Sequence, residues 1–162
     1  MNYSIVSFLE KRLSKELSVF EYGSGYSTVF YSRLAGEVTS IEYDKEWFDI
    51  ISGRVGANVE VRFAASDVDG AYCRSINVDM KKYDVVIVDG RDRINCMKRA
   101  FGALSESGVV LLDDSDRPRY QAAFQIAAEN GFRSLDFEGL KPTGATVDRS
   151  TLFYRPNNCL NI

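Results

Sequence analysis

Short apolar runs that stop on an acid recur five times along the chain, separated by amphipathic stretches. The runs are Val19-Phe20 ending at Glu21, Val38-Thr39-Ser40-Ile41 ending at Glu42, and Val59-Glu60-Val61-Arg62-Phe63 leading to Ser66 and Asp67. Asp84-Val85-Val86-Ile87-Val88 then ends at Asp89, and Val109-Val110-Leu111-Leu112 at Asp113 and Asp114. Such brief runs, rich in Val and Ile and bounded by turn residues, read as buried strands. Between them, Ile5, Phe8, Leu9 and Leu13 at helical spacing predict a leading helix over 2–14 that packs on the sheet. Further helices are predicted over Tyr26–Leu34 and Asp44–Val55, stopped by Gly36 and Gly56 in the left-handed conformation. Tyr72, Ile76 and Met80 suggest another between Asp67 and Lys82. Arg93–Leu104 carries an apolar face, and Tyr120–Asn130 reads as a helix opened near Pro118 and ended by Gly131.

Strand, helix, strand is the rhythm of a parallel sheet covered on both faces. The last two strands differ. Phe132–Phe137 and Ser150–Tyr154 are joined by Leu140-Lys141-Pro142-Thr143-Gly144-Ala145, which has no room for a crossover helix, so they must pair antiparallel. The expectation is an α/β fold: five parallel strands followed by a hairpin, in one domain over 1–162. Pro156–Ile162 reads as a frayed tail.

The strand ends carry the candidate chemistry. Glu21-Tyr22-Gly23-Ser24-Gly25 turns from the first strand into a helix, and glycines there let backbone N–H groups approach a bound cofactor. A tight turn alone can also demand them. The second strand adds Glu42, with Tyr43 and Asp44 behind it; a carboxylate at that tip accepts both hydrogen bonds of a ribose diol. In open parallel sheets, ligands bind beyond the carboxyl ends of the strands, where all five runs deliver acid.

Charge narrows the partners. A net charge of −3 and a pI near 5.1 argue against a general polyanion surface, so neither nucleic acid nor membrane is an expected partner. Arg91, Arg93, Arg117 and Arg119 crowd the segments after strands four and five, where they meet either an anionic acceptor or Asp92, Asp114 and Asp116 nearby. Three cysteines with no short spacing suggest reduced thiols, and a cytoplasmic setting is the simplest reading. With no histidine, any general base must be Asp, Glu, Lys, Tyr or water.

From Leu17 to Arg155 the chain resembles the class I S-adenosylmethionine-dependent methyltransferases, whose Rossmann-like three-layer α/β/α sandwich has a seven-stranded, mostly parallel sheet with a terminal antiparallel hairpin. Glu21-x-Gly23-x-Gly25 looks like that family's first motif, with Ser27 where many members have a third glycine. The resemblance implies that Glu21, Gly23 and Gly25 meet the methionine part of S-adenosylmethionine, with Tyr22 and Ser24 supplying backbone groups. Glu42 would hold the ribose, Tyr43 would lie against the adenine, and Ser66 or Asp67 would reach its edge. Trp47 reads as core. Asp89 would close the cofactor site from strand four.

Methyl transfer is an in-line displacement that needs placement of the acceptor and removal of its proton. Asp89, Asp113 and Asp114 are the candidate catalytic groups. They also resemble the metal ligands of catechol-type O-methyltransferases, with Asp114 where those proteins have Asn, which implies a magnesium site at Asp89, Asp113 and Asp114. A branch of short class I methyltransferases shares segments like Asp89–Arg93 and Asp113–Tyr120; there Arg91, Arg93, Arg119, Tyr120 and Lys141 would line the acceptor side. The implied activity is methylation of an oxygen or nitrogen of a small polar acceptor, a sugar or anionic metabolite, in a mouth left open or closed by a second copy, as in a homodimer. Alternatives are a same-fold transferase using another donor, such as an aminopropyl transferase, an NAD-dependent dehydrogenase, and a cofactor-binding module without turnover.

Overall fold

A computed structural model of the chain describes residues 1–142 and 144–162. It contains helix α1 (Tyr3–Glu10), strand β1 (Ser18–Tyr22), α2 (Tyr26–Leu34), β2 (Glu37–Glu42), α3 (Lys45–Ser52) and β3 (Val59–Phe63). The short α4 (Ala71–Arg74), β4 (Tyr83–Val88), α5 (Arg93–Ala103), β5 (Leu104–Leu112), α6 (Ala122–Glu129), β6 (Arg133–Leu140) and β7 (Val147–Tyr154) complete it.

Among the described residues the seven strands form one sheet in the order β3-β2-β1-β4-β5-β7-β6. The first five are parallel, β7 runs antiparallel beside β5, and β6 pairs with β7 from Arg133↔Tyr154 to Leu140↔Val147. The hairpin is therefore longer than the sequence suggests, and Leu140 belongs to it; Thr143 lies outside the described residues. Chain order reverses between β1 and β4, and a crevice opens beyond the strand ends at such a point.

Strand parity assigns the two faces. Phe20, Tyr22, Val86, Val88, Val110 and Leu112 pack against α4, α5 and α6. Val19, Val38, Val85, Ile87, Val109 and Leu111 meet α1 and α2 on the other side. Where both faces are covered, as along β4 and the Val109–Leu112 end of β5, the strands are apolar almost throughout. The edge strands β3 and β6 carry exposed polar residues, and each layer buries its own cluster.

Several element ends differ from expectation. α2 stops because Ala35 turns extended (φ −83°, ψ 160°), and Gly36 is needed for close approach: a Cβ there would lie 2.2 Å from the Lys15 carbonyl oxygen. α3 ends at Ser52, and the left-handed glycines among the described residues are Gly23 and Gly131, not Gly36 or Gly56. After α4 the chain tightens into a 3-10 turn over Ser75–Asn77, leaving Met80 exposed with φ 50° rather than on a helix face. No helix among the described residues is long and apolar enough to cross a membrane.

The segment after β7 is anchored rather than frayed. Leu160 is fully buried with the α1 cluster, and Arg12 donates to the Leu160 and Asn161 carbonyls at 2.5 and 2.6 Å. Asn158 closes the turn through the Leu160 N–H and the Ile162 carbonyl. Leu160→Ala should therefore cost about 2–5 kcal/mol in denaturant unfolding, as for other truncated core leucines; a frayed tail would show a change near zero.

Candidate functional site

The site begins where β1 ends. Gly23 has φ +93°, its N–H donates to the Ile41 carbonyl of β2 at 2.9 Å, and the Asp89 N–H after β4 donates to the Tyr22 carbonyl at 3.1 Å. The turn is thus stapled to both neighbouring strands. A Cβ on Gly23 would stand 2.8 Å from the Gly90 Cα, and one on Gly90 would stand 2.0 Å from the Tyr72 hydroxyl oxygen. Two glycines let the β1 and β4 turns touch, and only at Gly23 does the backbone itself also require one.

From this contact a cleft of about 910 Å³ opens above the strand ends. The segments after β1 and β2 supply Gly23, Ser24, Gly25, Glu42, Tyr43 and Trp47 to its lining, and those after β4 and β5 supply Asp89, Gly90, Arg91, Arg93, Arg117, Arg119 and Tyr120. At Gly25 a Cβ would meet nothing closer than 3.7 Å, so the turn's outer rim is open. Thr28 closes the start of α2, its N–H donating to the Gly25 carbonyl at 3.0 Å and its hydroxyl accepting from the Gly25 N–H at 2.9 Å.

Glu42 is held by the turn it starts. Its Oε1 accepts from the Tyr43 and Asp44 N–H groups at 2.8 and 2.9 Å, and the residue is 2% exposed. Burial raises its carboxyl above the ordinary value even against those donors. Tyr43 meets Arg91: the guanidinium carbon sits 4.9 Å from the ring centroid and an N–H donates to the hydroxyl at 3.0 Å. Trp47 lines the cleft and its indole N–H donates to the Ser24 carbonyl at 2.8 Å, so it is a wall residue as well as packing.

Four expected cofactor residues stand elsewhere. Glu21, on the opposite strand parity from Phe20 and Tyr22, points into the α1/α2 layer beneath the turn and is fully buried. It accepts from Ser27, from Thr28 at 2.5 Å and from Ser40 at 2.9 Å. The Tyr22 ring lies in the core with its hydroxyl donating to the Cys73 carbonyl at 2.7 Å, and its own carbonyl is taken by Asp89. The Ser24 carbonyl is likewise occupied by Trp47. Ser66 is exposed, and neither it nor Asp67 lines the cleft; the Asp67 carboxylate instead accepts the Ala71 and Tyr72 N–H groups at 2.7 and 3.2 Å as a helix-start cap. Asp92, which the sequence reading placed only as a salt-bridge partner, does line it.

The three acids after β4 and β5 do converge, with one oxygen of each within 4.8 Å of the others. Cations already fill that space. Lys141 Nζ contacts Asp113 at 3.0 Å, Asp148 at 2.8 Å, and Asp114. Arg93 reaches Asp89 at 2.9 Å and Asp114 at 3.2 Å, and Arg117 reaches Asp114 at 2.8 Å. The Met1 amino nitrogen lies 3.0 Å from Asp113. A hard divalent ion would have to displace an ammonium and a guanidinium, so this donor set does not fit magnesium. Lys141 lines a second cavity of about 420 Å³ with Val6, Phe30, Asp89 and Pro142, not the arginine wall.

The same arrangement separates the acids electrostatically. Burial and the charge of Asp113 push Asp89 up to about 6 despite Arg93. Burial would raise Asp113 too, but the Met1 ammonium, the Ser150 hydroxyl at 2.5 Å and Lys141 hold it below the carboxylate range. Of the Asp89–Asp113 pair, Asp89 is the carboxyl raised toward neutral pH.

No family model matches the sequence, and no curated protein matches it. Solved structures do. A precorrin-6y C5,15-methyltransferase from Geobacter metallireducens GS-15 superposes with a TM-score of 0.71 at 15% identity, over 94% of this chain and 87% of that one. An rRNA methylase from Streptococcus thermophilus gives 0.67 at 14% identity over 93% of each chain. A Streptococcus mutans protein solved in complex with S-adenosylhomocysteine (SAH) gives 0.65 at 14% identity, over 96% of this chain and 99% of that one. The fold is that of the class I S-adenosylmethionine-dependent methyltransferases.

Burial pushes Glu21 up to about 7 from its ordinary 4.5, outweighing the Ser27, Thr28 and Ser40 hydrogen bonds. The folded chain holds this proton more tightly than the unfolded one. The resulting stabilisation, on the order of 3 kcal/mol, is complete below pH 4.5 and lost as pH rises through about 7. Glu21→Gln should therefore flatten the fall in unfolding free energy between about pH 4.5 and 7, measured by urea titration. Equal slopes for the two proteins would contradict a neutral, buried Glu21.

Proposed function

We propose that the chain is an S-adenosylmethionine-dependent methyltransferase acting on an oxygen or nitrogen of a small polar acceptor. The observation that carries this reading is Glu42: a buried carboxylate at the tip of β2, fixed by two backbone N–H groups, facing the same cleft as the Gly23–Gly25 turn. That pairing suits a ribose diol beside a close-approach turn. The cofactor, when bound, supplies an electrophilic methyl group on a sulfonium. Gly23, Ser24 and Gly25 would pass the methionine part, and Tyr43 and Trp47 would flank the adenosine.

Asp89 lines the cleft just after β4 and is the group to accept the acceptor's proton. A carboxyl near 6 is poised for that exchange close to neutral pH. Asp113 and Asp114 act indirectly, holding Arg93 and Lys141 by ion pairs. The acceptor class is not carried by the fold, since the matched proteins include ones named for rRNA and for a precorrin.

Both S-adenosylmethionine and SAH should raise the melting temperature, and Glu42→Ala should weaken SAH binding roughly 10- to 100-fold by calorimetry through loss of charged hydrogen bonds. Because the raised Glu42 carboxyl must be ionised to accept both hydroxyls, SAH affinity should fall as pH drops through that raised value. Unchanged affinity in Glu42→Ala would refute the assignment.

A further inference from the structure

The arginine wall divides by partner. Arg93 is 8% exposed and is neutralised by Asp89 and Asp114, while Arg117 pairs with Asp114. Arg91 and Arg119 are different: among the described residues neither has a carboxylate within ion-pair distance, and both are exposed on the wall of the same cleft. Each is held instead by an aromatic ring, Arg91 over Tyr43 at 4.9 Å and Arg119 over Tyr120 at 4.8 Å. Arg93 sits 5.2 Å from the same Tyr120 ring. Stacking orients a guanidinium, which reduces the ordering cost of binding an oxyanion. Among the described residues the Arg119 fork makes no side-chain hydrogen bond, while Arg91 gives one N–H to the Tyr43 hydroxyl at 3.0 Å and keeps the others.

We propose that the acceptor carries a compact oxyanion, a phosphate-type group, held chiefly by Arg119, with Arg91 reaching it from beside Tyr43 in the same cleft. This assignment rests on the methyltransferase reading for what happens to the acceptor, but not for the anion site itself. Charge placement favours a small molecule over a polymer. Asp44, Glu46 and Asp92 line the remainder of the cleft, Asp116 is exposed beside Arg117, and the whole chain carries −3. A polyanion extending from the two free arginines would meet those acids, whereas one oxyanion would not. The second cavity offers no comparable site, because its cation, Lys141, is already shared among Asp113, Asp114 and Asp148.

The test is calorimetric titration of the full chain with inorganic phosphate, glucose 6-phosphate and a short single-stranded RNA, each with and without saturating SAH at one fixed salt concentration. Glucose 6-phosphate should bind the SAH-loaded protein more tightly than the RNA does. Arg119→Ala should weaken it about tenfold or more while leaving SAH affinity within about twofold, and Arg119→Lys should recover part of the loss. Binding of SAH with no heat from phosphate or glucose 6-phosphate would overturn the proposal, as would sugar phosphate binding indifferent to Arg119→Ala. Tighter binding of the RNA would overturn it in favour of a nucleic-acid acceptor. Loss of SAH binding with the Arg119-dependent phosphate heat intact would instead strike the methyltransferase reading and leave the anion site standing.

Discussion

Everything at the top of this sheet depends on the contact between the β1 and β4 turns. Gly23 and Gly90 bring two backbones so close that neither position has room for a methyl group, and the Gly23 and Asp89 N–H groups staple the β1 turn to its neighbours on both sides. Separating these turns by one side chain would move Asp89 away from Glu42 and split the cleft. The parallel register of β2, β1 and β4 then does the rest, since the three strands end at the same level and bring Glu42, the glycine turn and Asp89 to one edge.

The two layers beneath that edge make different demands. On the α4/α5/α6 side, aromatic rings from β1, α4 and β4 fill the space under the turns, with Phe20, Tyr22, Tyr72 and Tyr83 mutually edge-on or tilted. On the α1/α2 side, a buried carboxyl takes the corresponding place, wrapped by three hydroxyls. Glu21 therefore joins the turn, the first residues of α2 and β2 from below. Its removal from water is affordable because hydroxyl donors satisfy it and its raised pKa lets it be neutral.

Much of this was legible in the sequence. The five strands, the antiparallel close and the acid at β2 follow from run length, turn residues and the short link after β6, all of which are local signals. Parity was the missed one: counting alternate residues from Phe20 and Tyr22 would have put Glu21 on the far side of the sheet from the core aromatics, but strands apolar on both faces hide which side is which. The partners of Asp67, Asp113 and Asp114 were hidden for another reason. A carboxylate's partner is set by tertiary approach: Asp67 caps a helix start four residues on, and Lys141 reaches two of the clustered acids from the far end of β6. Burial of Leu160 depends on α1 from the opposite end of the chain, which no tail-local pattern records.

The chemistry that follows is one of division. The segments after β1 and β2 bring Glu42 and the glycine turn to the cleft, those after β4 and β5 bring Asp89 and the two carboxylate-free arginines, and burial raises the Asp89 carboxyl. The most direct test of that geometry is electron density from crystals grown with SAH. The account predicts both ribose hydroxyls within hydrogen-bond distance of the Glu42 carboxylate and the sulfur beside Asp89; an adenosyl group lodged against Arg119, or a ribose that leaves Glu42 untouched, would contradict it.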